Sequence, residues 1–144
     1  MQVEVQVDIH RSIEDVFAYI TNFENNPKWQ GGMVSCTFTT EPPVREGSRY
    51  TQVAQFMGRT IQSKFVVTKF VSNERVEFET TESTFPIQIV RTASPAEGGT
   101  RVNAIISGQP GGLIKLFTPL TQVMMRRSIE ADYARLKAIL EQEN

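Results

Sequence analysis

The stretch PLTQVMMRRSIEADYARLKAILEQE, residues 119–143, decides how the rest of the chain is read. Leu120, Met124, Ile129, Tyr133, Leu136 and Leu140 recur in it at helical spacing and form an apolar stripe. Arg126, Arg127, Glu130, Arg135, Lys137 and Glu141 fall largely outside that stripe. The pattern predicts a helix over Leu113 to Glu143, either continuous or as a short helical turn bent at Pro119 into a longer helix. Proline can start the main helix but would kink its interior. A stripe of this length needs a broad apolar surface to cover.

That surface lies upstream. Residues 33–107 read as strands punctuated by turn residues: Met33–Thr40, Ser48–Met57, Arg59–Val71, Arg75–Thr81, Pro86–Ala93 and Thr100–Ser107. Every break is short, so neighbours are most simply joined as antiparallel hairpins. A further strand opens the chain, with Val3, Val5, Val7 and Ile9 on one face. Ser12 then reads as a helix N-cap, with Glu14 and Asp15 in the first turn and Ile13, Val16, Phe17 and Ile20 at helical spacing. A second helical turn is predicted over Asn22 to Asn26, stopping at Pro27. The order predicts an α+β helix-grip fold of β-α-α-β6-α order. In it a seven-stranded curved antiparallel sheet wraps the C-terminal helix, the only element long enough to cover it. Concave apolar spaces between such layers are the usual ligand sites.

Whole-chain properties narrow the function. The 144 residues fit one domain, 1–144, able to bury a core without staples. Cys36 is the only cysteine, which excludes an intramolecular disulfide and a multi-thiolate metal site within one chain. A formal net charge of −1, with both signs spread along the chain, leaves no basic stripe for nucleic acid. No stretch of about 18 apolar residues is present, so no stable membrane insertion is expected. The first residues alternate like a strand rather than a signal peptide, and cytoplasm is the expected location. No dinucleotide fingerprint or metal-ligand cluster is spelled out, and no cofactor or metal is expected.

The order and residues resemble the START-related (SRPBCC, Bet v 1-like) superfamily, and within it bacterial polyketide cyclase/dehydrase-like proteins. The resemblance runs over essentially the whole chain. Its pieces are Ile13 to Ile20 with Asn22, Pro27 and Trp29, then Gly47-Ser48-Arg49-Tyr50 to Gly58-Arg59. Val67-Thr68 to Glu74-Arg75-Val76, Gly98 to Val102, and Arg126-Arg127 with Ala131 to Lys137 complete it. It implies the helix-grip fold with a cavity, but not one activity, because the superfamily holds lipid carriers, hormone receptors, aromatic cyclases and chaperone co-activators.

The candidate cavity residues are Trp29, Phe38, Tyr50, Gln52, Phe56, Ser63, Phe65, Phe78, Phe85, Ile89, Arg91, Phe117, Met124 and Ser128. Tyr50 and Gln52 share a strand face with Ala54 and Phe56, and Ser63 shares one with Ile61, Phe65 and Val67, so these polar groups are candidate anchors in an apolar pocket. Arg91 shares a face with Ile87, Ile89 and Ala93. Facing inward it could grip a ligand carboxylate or phenolate; the alternative is a side chain snorkelling at the sheet rim. Met124 and Met125 suit an adaptable wall, and Phe85-Pro86 is either a gate or a plain turn.

The catalytic readings are weaker. His10 is the only histidine and reads as a junction residue. If the first and second strands lie side by side, Cys36 could approach it as a Cys–His pair; otherwise Cys36 is a small apolar side chain. Glu77 and Glu79 alternate with Val76 and Phe78 and should face solvent. Gly111-Gly112 reads as a hinge rather than an anion cradle. No catalytic set emerges. The leading expectation is binding or carriage of a small hydrophobic aromatic, lipid-like or polyketide-like molecule. A cyclase, aromatase or dehydratase is the rival, and a protein-binding co-chaperone-like module is a third reading. A homodimer is left open.

Overall fold

The structure is a computed structural model and describes residues 2–56, 58–108 and 119–142. Strand β1 (Gln2–Ile9) leads into α1 (Ile13–Thr21), a 3₁₀ turn (Phe23–Asn25) and α2 (Asn26–Trp29). Six strands follow: β2 (Met33–Phe38), β3 (Arg49–Phe56), β4 (Arg59–Val71), β5 (Arg75–Glu82), β6 (Ile87–Ala96) and β7 (Gly99–Gly108). Helix α3 (Pro119–Gln142) comes last, with Pro119 as its first residue. Together they form the helix-grip fold. Phe117 and Gly111-Gly112, read above as a cavity residue and a hinge, lie outside the described residues.

The sheet has seven antiparallel strands in the order β1-β7-β6-β5-β4-β3-β2. Strands β2 to β7 form a meander, and β1 joins it by pairing with β7, from Gln2 opposite Ser107 to Ile9 opposite Thr100. The first and second strands are therefore not neighbours, contrary to the side-by-side placement considered for Cys36. The short helices between them carry the chain across: α1 packs on β6 and β7, while the 3₁₀ turn and α2 pack on β2.

Local sequence explains the connections. The Ser12 hydroxyl accepts from the Asp15 amide at 3.2 Å and caps α1, as its position before Ile13 requires. Pro27 does not stop a helix; it sits in the first turn of α2, where its missing N–H costs nothing. The β6–β7 hairpin turns at Gly98, whose φ of 75° favours glycine. At Gly99 the backbone of Ile9 and His10 fills the place a Cβ would take.

The period-2 faces come out as read. Val76 and Phe78 are buried, while Glu77 on the other face is only partly exposed, its side chain at 18%, and pairs with Arg75 at 2.6 Å. Helix α3 departs from its predicted stripe. Tyr133, Leu136 and Leu140 are buried, but Leu120 is 71% and Met124 58% exposed. Among the described residues of α3, the fully buried ones lie in its C-terminal part, which grips the sheet and its flanking loops. Arg135 donates to the Trp29 carbonyl at 2.8 Å, Lys137 to the Asp8 carbonyl at 2.6 Å, and the His10 amide donates to Glu141 at 3.0 Å. Among the described residues, no helix is long and apolar enough to cross a membrane.

Leu136→Ala should cost ~2–5 kcal/mol in urea unfolding, because it leaves a void under the gripping half of α3. Gly99→Ala should lower the midpoint as well, because its Cβ would run into the backbone of Ile9 and His10.

Candidate functional site

Where α3 stands off the sheet, a cavity of about 170 Å³ opens. Strand β3 supplies Gln52, Ala54 and Phe56, and β4 supplies Ile61, Ser63 and Phe65. Their register, with Gln52 opposite Ser63 and Ala54 opposite Ile61, sets these side chains on one concave face. Ser83, Phe85 and Pro86 of the β5–β6 connection form the rim, with Ile87, Gly108 and Met125 completing the wall. The Phe85 ring meets Phe56 edge-on at 5.5 Å, and the Phe85 amide donates to the Ser83 hydroxyl at 3.1 Å. Ser83 and Ser63 share a 2.7 Å hydrogen bond. A second recess, of about 430 Å³, lies on the far side of Phe56 and Met125, between Gly31-Gly32 and Met124, Ser128 and Ile129 of α3.

Among the described residues the wall is apolar apart from Gln52, Ser63 and Ser83, and none of them titrates. The arrangement can desolvate an apolar body and orient it by two or three neutral hydrogen bonds. Among the described residues it offers no general acid or base at the wall.

Of the sequence-predicted residues, Gln52, Phe56, Ser63, Phe65 and Phe85 line the cavity, and Met124 and Ser128 line the recess. Trp29, Phe38, Tyr50, Phe78, Ile89 and Arg91 are not among the described residues that line this cavity. They make the layer beneath. Tyr50 stacks on Phe65 at 4.8 Å and on Phe23 at 4.5 Å. Phe38 packs against both Phe23 and Tyr50. These large rings fill the closed end of the grip. Sequence reasoning passed over Ser83, whose signal was its place beside Phe85 in a short connection. It read Met125 as suited to an adaptable wall without naming it among the cavity residues, and placed Ala54, Ile61 and Ile87 on the right faces without assigning them to the wall.

Arg91 does face inward, 3% exposed, and its Nε donates to the Tyr133 hydroxyl at 2.9 Å. The rim-snorkelling alternative is therefore excluded. Burial pushes the Tyr50 hydroxyl well above the ordinary phenol value, an effect that the Arg91 charge opposes without cancelling. Tyr50 is a neutral phenol at neutral pH and no base.

The Cys36–His10 pair is overturned. Cys36 lies on β2 and His10 follows β1, at opposite ends of the strand order. The Asn26 amide donates to the Cys36 sulfur at 3.7 Å, and the thiol in turn contacts Gln52 Oε1 at 3.8 Å. Burial pushes the thiol up to about 11, against the pull of the Asn26 hydrogen bond. Among the described residues, no group of three or more His, Cys, Asp or Glu side chains is placed to hold a metal ion.

A curled sheet closed over one helix, with an apolar hollow at the loose end of that helix, defines a cavity-bearing helix-grip protein. The chain belongs to the family described as polyketide cyclase / dehydrase and lipid transport, whose model matches residues 1–141. A search of curated proteins finds no match. Among solved structures it is similar to the TTHA0849 protein from Thermus thermophilus, at 20% identity and a TM-score of 0.81 over 100% of both chains. It is also similar to a START superfamily protein from Mycobacterium smegmatis, at 14% identity and a TM-score of 0.79 over 99% of both. The di-domain ARO/CYC StfQ from the steffimycin biosynthetic pathway matches 98% of this chain and 50% of its own, at 13% identity and a TM-score of 0.75. At these identities the likeness is one of fold.

Cys36 should resist alkylation by iodoacetamide at pH 8 in the folded protein. The raised value alone leaves roughly a hundredfold less thiolate than an ordinary cysteine. Unfolding in urea should restore fast reaction, and rapid labelling of the native chain would contradict the buried placement.

Proposed function

We propose that the protein binds a small hydrophobic molecule in the cavity between β3, β4, the β5–β6 connection and Met125. The observation that carries this reading is the wall itself: apolar, concave, and furnished with neutral hydrogen-bonding groups at Gln52 and the Ser63–Ser83 pair. Phe85 and Pro86 at the rim, and Met125 on the half of α3 that grips least, are the parts a ligand would displace on entry. The family description supports a hydrophobic cargo or substrate.

A second reading is a cyclase or dehydratase acting on a polyketide-like or aromatic substrate. The likeness to the StfQ ARO/CYC di-domain favours it. Catalysis would then rest on the shape of the cavity and on Gln52 and Ser63 as neutral hydrogen-bond partners, with Tyr50 behind them as a neutral donor. Progress from binding to turnover would show as a change in the bound polyketide analogue on mass spectrometry.

The test is direct. Nile red, a neutral apolar dye, should bind with a blue-shifted emission and one saturable site. Ala54→Phe, which fills the wall from β3, should weaken binding at least about tenfold while leaving the fold intact by circular dichroism. Saturable binding unchanged by Ala54→Phe would move the ligand site elsewhere, and no binding of any apolar probe would remove the reading.

A further inference from the structure

Within the aromatic layer, Arg91 is a buried cation with no counter-charge among the described residues. None of the ion pairs among the described residues includes it. Its guanidinium carbon lies 5.0 Å from the ring centres of both Trp29 and Phe78, and 5.9 Å from that of Tyr133. These faces and the Tyr133 hydroxyl offset part of the cost of burying the charge. They leave Nη1 with no acceptor.

The surroundings repeat the deficit. Trp29 Nε1 and the Tyr50 hydroxyl are also buried and unpartnered, on residues each 1% exposed. Buried polar groups in folded proteins are almost always satisfied, so several open groups around one cation mark a missing partner. Arginine Nη1 and indole Nε1 only donate. The missing partner is therefore an acceptor, and beside an unpaired guanidinium a charged one fits best.

One ring, Phe78, stands between Phe65 of the cavity wall and the cation. Gln52 is part of the cavity wall and takes the Cys36 thiol contact, and Cys36 takes the Asn26 amide. Arg91 exerts its charge on both Cys36 and Tyr50. Phe78, against which the guanidinium lies, has its ring 6.1 Å from Phe65 of the cavity wall. A seam of polar contacts thus runs from Gln52 through Cys36 to Asn26, and Phe78 is the one ring layer between the wall and Arg91.

We propose that Arg91, with Trp29 Nε1 and the Tyr50 hydroxyl, seats the carboxylate head of the ligand, making the cargo a hydrophobic carboxylic acid. The head passes inward along the Gln52–Cys36 seam and the apolar tail stays in the cavity. This rests on the binding reading above and adds the ligand's charge and orientation to it.

Octanoate and octanamide, equal in tail and different in charge, test it. Trp29 is the only tryptophan and lies against Arg91, so its fluorescence reports an occupant there. Octanoate should bind at least about tenfold tighter than octanamide at neutral pH and change Trp29 emission. Arg91→Met should erase that preference, bringing octanoate affinity down to that of octanamide. Its ligand-free melting temperature should hold or rise, since an unpaired buried charge is replaced by an apolar side chain. Equal affinities in the wild type, or a preference for octanoate that survives Arg91→Met, would overturn the proposal. If the variant does not fold, the wild-type ratio and Trp29 response decide alone. Nile red binding with equal octanoate and octanamide affinities would defeat the acid seat and leave the cavity reading standing; no apolar binding at all would defeat both.

Discussion

The cavity depends on how α3 is held. Its C-terminal half is fixed from several directions: Leu136 and Leu140 are buried, Tyr133 packs edge-on against Trp29 at 5.0 Å, and Arg11 donates to the Leu140 carbonyl at 2.9 Å. Asp132 accepts the Gly31 amide at 2.9 Å and ties the helix to the turn before β2. Toward its N-terminus, Leu120, Val123 and Met124 face outward. A helix gripped along one half leaves unfilled space under the other. That space is the cavity, and Met125 is the helix's contribution to its wall.

The same asymmetry sorts the interior into two layers. At the gripped end, large rings fill the volume and stack on one another, from Phe23 through Tyr50 to Phe65. At the loose end, Ala54, Ser63, Ser83 and Gly108 stand where a core would otherwise carry larger side chains. Small residues facing a helix that does not close down keep the hollow open, because packing to crystal-like density needs side-chain volume that these positions lack. Arg91 lies at the boundary, among rings rather than in the hollow.

Much of this was legible in the sequence. Turn residues marked the strand breaks to within a few positions, and alternation placed Arg91, Gln52 and Ser63 on the inner face, because a two-residue period leaves little freedom once a register is set. Three things were not legible. Strand neighbours are set by the whole sheet, so the β1–β7 pairing, and with it the separation of Cys36 from His10, has no local signal. Depth along a strand face is set by how rings from α1, α2 and the 3₁₀ turn fill the grip, so Tyr50 and Phe78 looked like cavity wall and are the layer beneath it. The periodicity of α3 predicts a continuous stripe, but it does not tell which turns of the helix meet the sheet, and so Met124 read as a wall residue and is largely exposed.

The central claim is that the hollow under the loose half of α3 takes an apolar guest. Methyl NMR of protein labelled at isoleucine and methionine, titrated with octanol, tests it most directly. The account expects saturable shifts at Ile61, Ile87 and Met125, with Ile9 and Ile20 in the packed core unmoved. Shifts confined to the exposed Met124 methyl, or none at the three wall residues, would contradict it.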